Sequence, residues 1–580
     1  MKKVILSFFI LFLFFSCEIE KETPDLILKN GNIYTVDTQL PDAQSIAIKD
    51  GIIIKAGTNE EIEGLADENT QKIDLKGQFL MPGFIEGHGH FSGLGKSLLQ
   101  LNFLRSKSWE EIVAMVAKAA ENAAPGEWIE GRGWHQEKWD STPIRNVHGY
   151  PFHDALSTVS PNNPVVLRHA SGHGIIANKK AMEMANITNE TPNPVGGEIV
   201  RDIRGNAIGV FEERAMKSIL DIYKAHLSNL SKEDLKNIWL KGVELAQKEC
   251  LKKGITSFQD AGTTPGGDFL SSYEELAEYE RLAKEGKLDL RMWTMLRHGS
   301  EDLKNYLNEF PKIDIGNGFF TCRAVKSELD GALGSYGAWL LEPYDDKPGF
   351  VGQNTTSVEE VNKIASLCLQ YKMQLCVHAI GDRGNREVLD IIEQLSKKSP
   401  EIKELRWRME HAQHLHIDDI PRFEKLGVVA AMQGVHCTSD APFVVKRLGE
   451  ERAKEGAYAW KSLLKSGAVV ANGTDAPVED VSAIESYYAS VTRKRADSGM
   501  EFFTEQAMTR AEGIYSYTMA NAYAGFQEEK KGSITPGKYA DMVLLSNDLI
   551  NCSDDEILKT EVLMTIVGGK IKYQSENFNM

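Results

Sequence analysis

The chain is 580 residues long, with 42% hydrophobic and 26% charged residues, a composition that is ordinary for a soluble globular protein with a large core. Its formal net charge is −17, and no run of Lys and Arg could follow a phosphate backbone. These features argue against a nucleic-acid partner, and the acidic balance is expected to serve solubility.

Residues 1–17 differ from the rest of the chain. Two lysines precede an apolar run that closes on Cys17, a pattern that predicts a secretory signal too short to span a bilayer in the mature protein. The ending resembles a bacterial lipoprotein box, in which Cys17 becomes the lipid-carrying first residue. An ordinary cleaved signal with an incidental cysteine is the alternative. Residues 18–24 are polar and are expected to form a tether. The predicted location is the bacterial cell envelope, periplasmic or on the outer surface, with the protein anchored to the membrane.

Both ends of the mature chain have the pattern of short strands. In residues 25–78, Asn30-Gly31 and Asp50-Gly51 interrupt alternating apolar residues, which is a hairpin signal. Residues 531–580 repeat the pattern around Gly568-Gly569. We therefore expect one small β-sandwich domain formed by the two termini.

Residues 79–530 alternate helix-like and strand-like segments, which favours a parallel α/β fold. The length of this region suits a (β/α)8 TIM barrel with an insertion. The insertion is expected at about 125–214, which is rich in Gly, Asn and Pro and has weak periodicity. Inserted loops of this kind cover an active site or are decoration.

The apolar run 79–90 ends in two histidines separated by one glycine. Side chains at i and i+2 of a strand share a face, so His88 and His90 are expected to point the same way. Neutral imidazole is a common protein ligand for zinc, and two of them supply half of a tetrahedral set. Chance is the alternative, because the chain has 14 histidines.

Three further polar residues, His378, His411 and Asp475, follow apolar strand-like runs. In a barrel, the C-terminal ends of the strands converge on one mouth. Each residue has a plain alternative: His378 as a satisfied core histidine, His411 paired with Glu410, and Asp475 as the cap of the next helix. Taken together, four histidines and an acid in the same structural context favour a metal site.

Lys326 lies in another strand-like run. A buried lysine at a strand end is costly unless it is paired or modified. Pairing with Glu328 or Asp330 is one explanation. Carbamylation by carbon dioxide is the other, because it would turn Lys326 into an anionic ligand that can bridge two metals.

These motifs together resemble the amidohydrolase superfamily and, within it, the YtcJ-like group of the amidohydrolase-3 family, which includes N-substituted formamide deformylases. The similar segments are 81–90, 325–326 with 330–331, 378–382, 410–413, 473–477 and 537–541. The resemblance implies that His88 and His90 bind one metal and that Lys326, carboxylated, bridges to a second. It implies that His378 and His411 bind that second metal, and that Asp475 binds metal and shuttles protons.

The expected function is hydrolysis of a non-peptide C–N bond in an N-acyl amide or formamide, by a metal-activated hydroxide with Asp475 as general base. Two zinc ions are expected, and other divalent metals would also fit. Alternatives are a cyclic amidase, an esterase, a lyase or isomerase on the same barrel, or a lipid-anchored binding protein without catalysis. The sequence does not indicate the oligomeric state.

Four residues are candidate substrate contacts. His173 and His436 are placed to meet the substrate carbonyl or the tetrahedral oxyanion, unless they have only loop or supporting roles. Trp134 and Tyr336 are candidates to line an apolar pocket, although a tryptophan in a long loop more often anchors that loop. Relatives often have Asp-Gly-His where this chain has Ser171-Gly172-His173, a difference expected to concern the substrate and not the chemistry.

Overall fold

The computed structural model describes residues 22–578 except 104, 105, 137, 138, 170–173, 268 and 335. The expected signal segment with Cys17, most of the tether and His173 therefore lie outside the described residues. Within the described part, no helix combines the length and the apolar character needed to cross a membrane.

Strands and helices are numbered along the chain. The strands are β1 (Leu26–Lys29), β2 (Asn32–Tyr34), β3 (Asp42–Ala43), β4 (Ser45–Lys49), β5 (Ile52–Gly57), β6 (Gln71–Asp74), β7 (Phe79–Pro82), β8 (Phe84–Gly89), β9 (Leu101–Asn102), β10 (Ile129–Trp134), β11 (Asn146–Val147), β12 (Tyr150–Pro151), β13 (Val165–His169), β14 (Gly174–Ala177), β15 (Gly197–Arg201), β16 (Ala207–Glu213), β17 (Ile255–Asp260), β18 (Arg291–Leu296), β19 (Lys312–Asp314), β20 (Phe320–Glu328), β21 (Gln374–Ala379), β22 (Arg408–His411), β23 (Val429–Gln433), β24 (Val470–Gly473), β25 (Met542–Leu545), β26 (Val562–Val567) and β27 (Lys570–Gln574).

The α-helices are α1 (Asn59–Glu63), α2 (Phe91–Leu99), α3 (Trp109–Asn122), α4 (Asp154–Val159), α5 (Lys179–Met184), α6 (Lys217–Ser228), α7 (Lys232–Lys252), α8 (Ser272–Lys284), α9 (Ser300–Tyr306), α10 (Ile315–Gly318), α11 (Val358–Tyr371), α12 (Asp382–Ser396), α13 (Ile420–Leu426), α14 (Gly434–Leu448), α15 (Glu450–Gly456), α16 (Trp460–Ser466), α17 (Ala483–Thr492), α18 (Arg510–Tyr517), α19 (Met519–Ala524) and α20 (Asp554–Ile557).

Eight parallel strands form a nearly closed barrel in the spatial order β24-β23-β22-β21-β20-β18-β17-β8. Both faces of these strands are buried, which explains their apolar sequences. The two ends of the sheet meet just beyond the strands, where Asp475 N donates to His88 O at 2.8 Å and His90 N donates to Ala476 O at 2.7 Å. The predicted (β/α)8 barrel is confirmed.

Strands from the two chain ends pair with each other beside the barrel. One sheet has the order β5-β4-β1-β6, and the other has the order β27-β26-β25-β7-β2-β3. Strand β7 joins the termini, because it pairs parallel to β2 and antiparallel to β25. A separate apolar core that includes Leu28, Leu80 and Met542 lies within this unit. The predicted β-sandwich from both termini is confirmed.

The insertion is a folded layer and not only a region of loops. Its sheet has the order β15-β16-β14-β13-β10-β9, and helices α3 to α6 accompany it. Two apolar clusters fill the layer, one around Trp134 and Val165 and the other around Val166 and Phe211. Val165 and Val166 are neighbours that face opposite sides of β13. Both sides of the sheet are therefore buried, and this removes the polar alternation that would have revealed the strands.

Helix α2 begins directly after His90, and its packing fixes that residue at the barrel mouth. Gly95 of α2 faces Gly242 of α7 so closely that a Cβ atom on Gly95 would stand 2.7 Å from the Gly242 backbone. A side chain at either position would push α2 away from α7. The two glycines therefore allow α2, whose N-cap is His90, to pack closely against α7.

Candidate active site

His88 is the most enclosed of the predicted ligands. It lies at the end of β8 with 1% of its surface exposed, and its Nδ1 donates to Glu410 Oε2 in a fully buried contact. Arg408 holds Glu410 in turn, with 2.7 Å between Arg408 Nε and Glu410 Oε1. Because Nδ1 is engaged, His88 presents Nε2 to the barrel mouth. A carboxylate on the far nitrogen is the usual partner of a metal-binding histidine.

Asp475 stands at the centre of the site, just beyond β24, in the left-handed backbone region at φ 58°. Its Oδ1 lies 3.3 Å from His90 Nε2 and 3.7 Å from His88 Nε2, and its Oδ2 lies 4.0 Å from His436 Nε2. His88, His90 and Asp475 form one group with all donor atoms within 4.8 Å, and His411, His436 and Asp475 form another. One carboxylate therefore joins two potential metal-binding sets.

Asp475 does not cap the helix that follows it. The N-cap of α17 is Ser482, whose side chain accepts from Glu485 N. Burial alone would raise the pKa of Asp475, but the neighbouring His90 and His88 hold it well below its ordinary value. Asp475 is therefore an ionised carboxylate inside the mouth, as a ligand or a base requires.

The other two predicted histidine ligands lie on neighbouring strands. The ring of His378, on β21, meets the ring of His411 edge-on with centres 4.4 Å apart. His411 Nδ1 donates to Gln433 Oε1 at 2.8 Å, so His411 pairs with Gln433 and not with Glu410. His378 joins neither three-residue group, and its Nε2 lies 3.7 Å from Asp330 Oδ1.

Lys326 is buried on β20 beside these histidines. Neither proposed acidic partner is available, because Glu328 pairs with Arg297 and Asp330 accepts backbone N–H groups of Ile380 and Gly381. Among the described contacts, Lys326 has no hydrogen bond or ion pair. Burial lowers the pKa of Lys326 to about 8. The pairing explanation is therefore excluded for this arrangement.

Two properties of the predicted site residues suit them to bind a metal ion: the protonation state of the histidines, and buried atoms that have no hydrogen-bond partner. Burial lowers the pKa of His88 to about 4 and of His378 to about 3, so both are neutral ligands at pH 7. Among the described residues, four buried atoms of the predicted site residues lack a hydrogen-bond partner: His88 Nε2, His378 Nε2, His436 Nε2 and Asp475 Oδ1. Unpartnered buried polar atoms are rare in proteins, and a metal ion held by Asp475 together with His88 or with His436 would satisfy three of the four, all but His378 Nε2.

The predicted substrate contacts are dispersed. His436, in the first turn of α14, belongs to the second metal-binding group. Trp134 is 1% exposed inside the insertion, where its Nε1 donates to Leu167 O at 2.9 Å, the placement expected of an anchor. Tyr336 lies under the Arg447 guanidinium, 4.0 Å from ring centre to Cζ, and its hydroxyl donates to Asp346 at 3.2 Å. His173 lies outside the described residues.

Sequence reasoning missed most of the residues that support the predicted ligands, and it gave Glu410 the wrong partner. Arg408 and Glu410 lie inside the barrel behind His88, and Gln433 lies behind His411. Asp260, at the end of β17, is buried and accepts from Phe91 N at 3.1 Å. Its position after a strand-like run was the signal that would have found it, because the other candidates share that position.

A parallel eight-stranded barrel with histidines and an aspartate grouped at its mouth is an arrangement that could hold a catalytic metal ion. The chain belongs to the amidohydrolase family, whose Amidohydro_3 model matches residues 71–573. The predicted resemblance to the amidohydrolase-3 family is thereby confirmed, and the chain is a member of the metal-dependent amidohydrolase superfamily.

Similar proteins cover nearly the whole chain. "Protein LONG AFTER FAR-RED 3" of Arabidopsis thaliana is 31% identical, covering 95% of this chain and 91% of the relative. "Putative amidohydrolase YtcJ" of Bacillus subtilis is 29% identical, covering 94% of this chain and 99% of the relative. "N-substituted formamide deformylase" of Arthrobacter pascens is 27% identical, covering 95% of this chain and 98% of the relative. A solved structure of an uncharacterized metal-dependent hydrolase from Pyrococcus horikoshii is 26% identical with a TM-score of 0.69, covering 91% of this chain and 99% of that one.

Proposed function

We propose that this amidohydrolase cleaves a non-peptide C–N bond in an N-substituted formamide or a related N-acyl amide. One observation carries the proposal: the Asp475 carboxylate lies between His88 with His90 on one side and His411 with His436 on the other. Similarity to an N-substituted formamide deformylase over 95% of the chain supports the choice of bond.

Six residues would hold the metal, namely His88, His90, Lys326, His378, His411 and Asp475, with Lys326 carboxylated so that it serves two zinc ions. Metal bound there would lower the pKa of water and polarise a carbonyl group. The absence of any ion-pair partner for Lys326 among the described contacts supports its modification. The role of each ligand is part of the proposal.

Side chains of the site would transfer the proton, stabilise the charge on the carbonyl oxygen and hold the imidazole rings in position. Asp475 accepts a proton from the attacking water and returns it to the leaving nitrogen. Water adds to the carbonyl carbon and the C–N bond breaks, so a formamide gives formate and an amine. His436 Nε2 is buried without a partner and is placed to donate to the carbonyl oxygen as negative charge develops. Glu410 and Gln433 keep the rings of His88 and His411 in place.

The test combines metal analysis with a substrate panel of N-substituted formamides, N-acyl amino acids, cyclic imides and esters. We expect about two zinc-like ions per chain and amine release from a formamide, lost on chelation and restored by zinc. One or no metal in active protein would rule out the two-metal form. Turnover of only the imides or only the esters would favour a cyclic amidase or an esterase.

We also propose that the mature protein is a lipoprotein of the bacterial cell envelope, attached to the membrane through Cys17. The support is the sequence of residues 1–24: a basic start, an apolar run, a terminal cysteine and a polar stretch.

A further inference from the structure

Asp440 is a carboxylate close to the candidate metal site. It follows His436 by four residues on α14, so the two side chains lie on the same face of the helix, one turn apart. His436 in turn reaches Asp475, with 4.0 Å between Nε2 and Oδ2. Asp440 is partly exposed, and burial raises its pKa. The carboxylate is therefore accessible but poorly hydrated.

Two neutral donors fix one oxygen of Asp440. The Tyr458 hydroxyl donates to Oδ2 at 2.6 Å, and Gln413 Nε2 donates to the same atom at 2.9 Å. Both donor residues are buried, and Tyr458 N donates to Gln413 O at 2.8 Å. Gln413 follows the predicted ligand His411 by two residues. The position of Asp440 is thus tied to the same loop that carries a ligand, which gives a preorganised contact.

The negative charge of Asp440 is not compensated by these neighbours. Tyr458 and Gln413 are neutral, and in the described part of the chain no Lys or Arg forms an ion pair with Asp440. No described residue donates to Oδ1. A poorly hydrated carboxylate gains most from a charged donor, because charge-assisted hydrogen bonds are the strong ones.

We propose that Asp440 determines specificity by binding a cationic group, such as an ammonium, on the substrate. The inference rests on the proposed amide hydrolysis and narrows its substrates to amides that carry a positive charge. Asp440 contacts the substrate away from the bond that breaks, so its loss affects binding more than the chemical step.

A matched pair of formamides tests the inference. N-(4-aminobutyl)formamide and N-pentylformamide have the same chain length and differ in a terminal ammonium or methyl group. The wild-type enzyme should prefer the cationic compound in kcat/KM. Asp440→Asn should raise KM for that compound by about 10- to 100-fold, the value of a charge-assisted hydrogen bond, with kcat and the neutral substrate within about twofold. Glu450→Gln, which changes an exposed carboxylate on α15, should alter neither substrate.

Equal use of both formamides by the wild type would overturn the inference, as would an equal loss of both in Asp440→Asn. If neither formamide is hydrolysed, the proposed function fails, and calorimetric binding to the zinc-loaded protein decides the role of Asp440. Butane-1,4-diamine should then bind the wild type more tightly than pentan-1-ol and lose that advantage in Asp440→Asn. Unchanged diamine binding in the variant would overturn the inference.

Discussion

Glu410 accepts the Nδ1 proton of His88 across the barrel interior, in a contact that is closed to solvent. The pair links β22 to β8, strands that are not neighbours in the sheet. Arg408 completes the chain of contacts, because its Nη1 donates to Gln259 Oε1 and its Nη2 donates to Gly87 O. The barrel core therefore contains a polar network that fixes the tautomer of a predicted ligand.

Glu410→Gln should weaken metal binding by about 10- to 100-fold, the usual cost of removing such a partner. It should also lower the free energy of unfolding by about 3–5 kcal/mol, because Arg408 is left as a buried charge without its carboxylate. Zinc affinity is measured by competition with a chelator, and stability by urea unfolding. The control Glu450→Gln should change neither. Zinc affinity equal to that of the wild type would show that the His88 contact does not support metal binding.

Strand ends were predictable from the sequence, whereas contacts across the barrel were not. His88 and His90 share a face because of their spacing, and His378, His411 and Asp475 each follow an apolar run. Glu410 next to His411 suggested a pair, but the strand ends there: His411 has φ 73°, so its ring turns to Gln433. The sequence around a residue does not reveal a hydrogen-bond partner that lies on another strand, as Gln433 does for His411.

The supporting residues on α14 illustrate the same limit. His436 and Asp440 belong to one helix face, yet the sequence does not reveal that this face meets Asp475 and Tyr458. The insertion was predicted, but its strands were not, for another reason. Its sheet is buried on both sides and its strands are short, so neither a period of two nor long apolar runs mark them.

A buried ion pair ties the small β domain to the barrel and yields a stability prediction. Arg291 of β18 donates to the Asp541 carboxylate through Nε at 2.6 Å and through Nη2 at 3.1 Å, and Gly568 N donates to the same carboxylate at 2.8 Å. Asp541→Ala should lower the free energy of unfolding by about 3–5 kcal/mol, because it leaves the buried guanidinium of Arg291 without its carboxylate partner. The double variant Arg291→Met, Asp541→Leu should lose much less in urea unfolding. Equal losses in both variants would show that the charge pair is not the cause.

The burial of Lys531 leads us to expect that the stability of the protein depends on pH. It is buried, its ammonium donates to Ser257 Oγ, and burial lowers its pKa to about 7 from 10.5. Between these pH values the unfolded chain binds more protons, so this group makes the protein more stable as pH rises from about 7 towards 10.5. Below pH 7 the full cost of burying the charge is present.

Lys531→Met removes that cost, so its gain in unfolding free energy over the wild type should be larger at pH 6 than at pH 9. Urea unfolding at both pH values measures the difference. Lys118→Met, at an exposed position of α3, serves as the control and should show no such change between the two pH values. A gain that is the same at pH 6 and pH 9 would contradict the assignment.

Cys17→Ser tests the proposed lipid anchor. Serine cannot form the thioether that carries the lipid, so the variant should appear in a soluble envelope fraction or remain unprocessed. The measurement is fractionation of membranes together with the mass of the mature N-terminus. Cys552→Ser, at a partly buried position far along the chain, should fractionate like the wild type. Unchanged membrane association of Cys17→Ser would argue against the anchor.

Asp475→Asn tests the mechanism. Asparagine keeps the size and the hydrogen-bonding capacity of the side chain but is not a base, so the rate on an accepted amide should fall by about 10²- to 10⁴-fold, the usual contribution of general-base catalysis. Stability should change little, because the cap of α17 is Ser482 and not Asp475. Ser482→Ala is the matched control: it should cost about 0.5–2 kcal/mol of stability as a lost cap while leaving the rate near that of the wild type. Metal content, melting temperature and kcat/KM of both variants separate the two roles. A rate within about tenfold of the wild type in metal-loaded Asp475→Asn would remove Asp475 as the obligatory base.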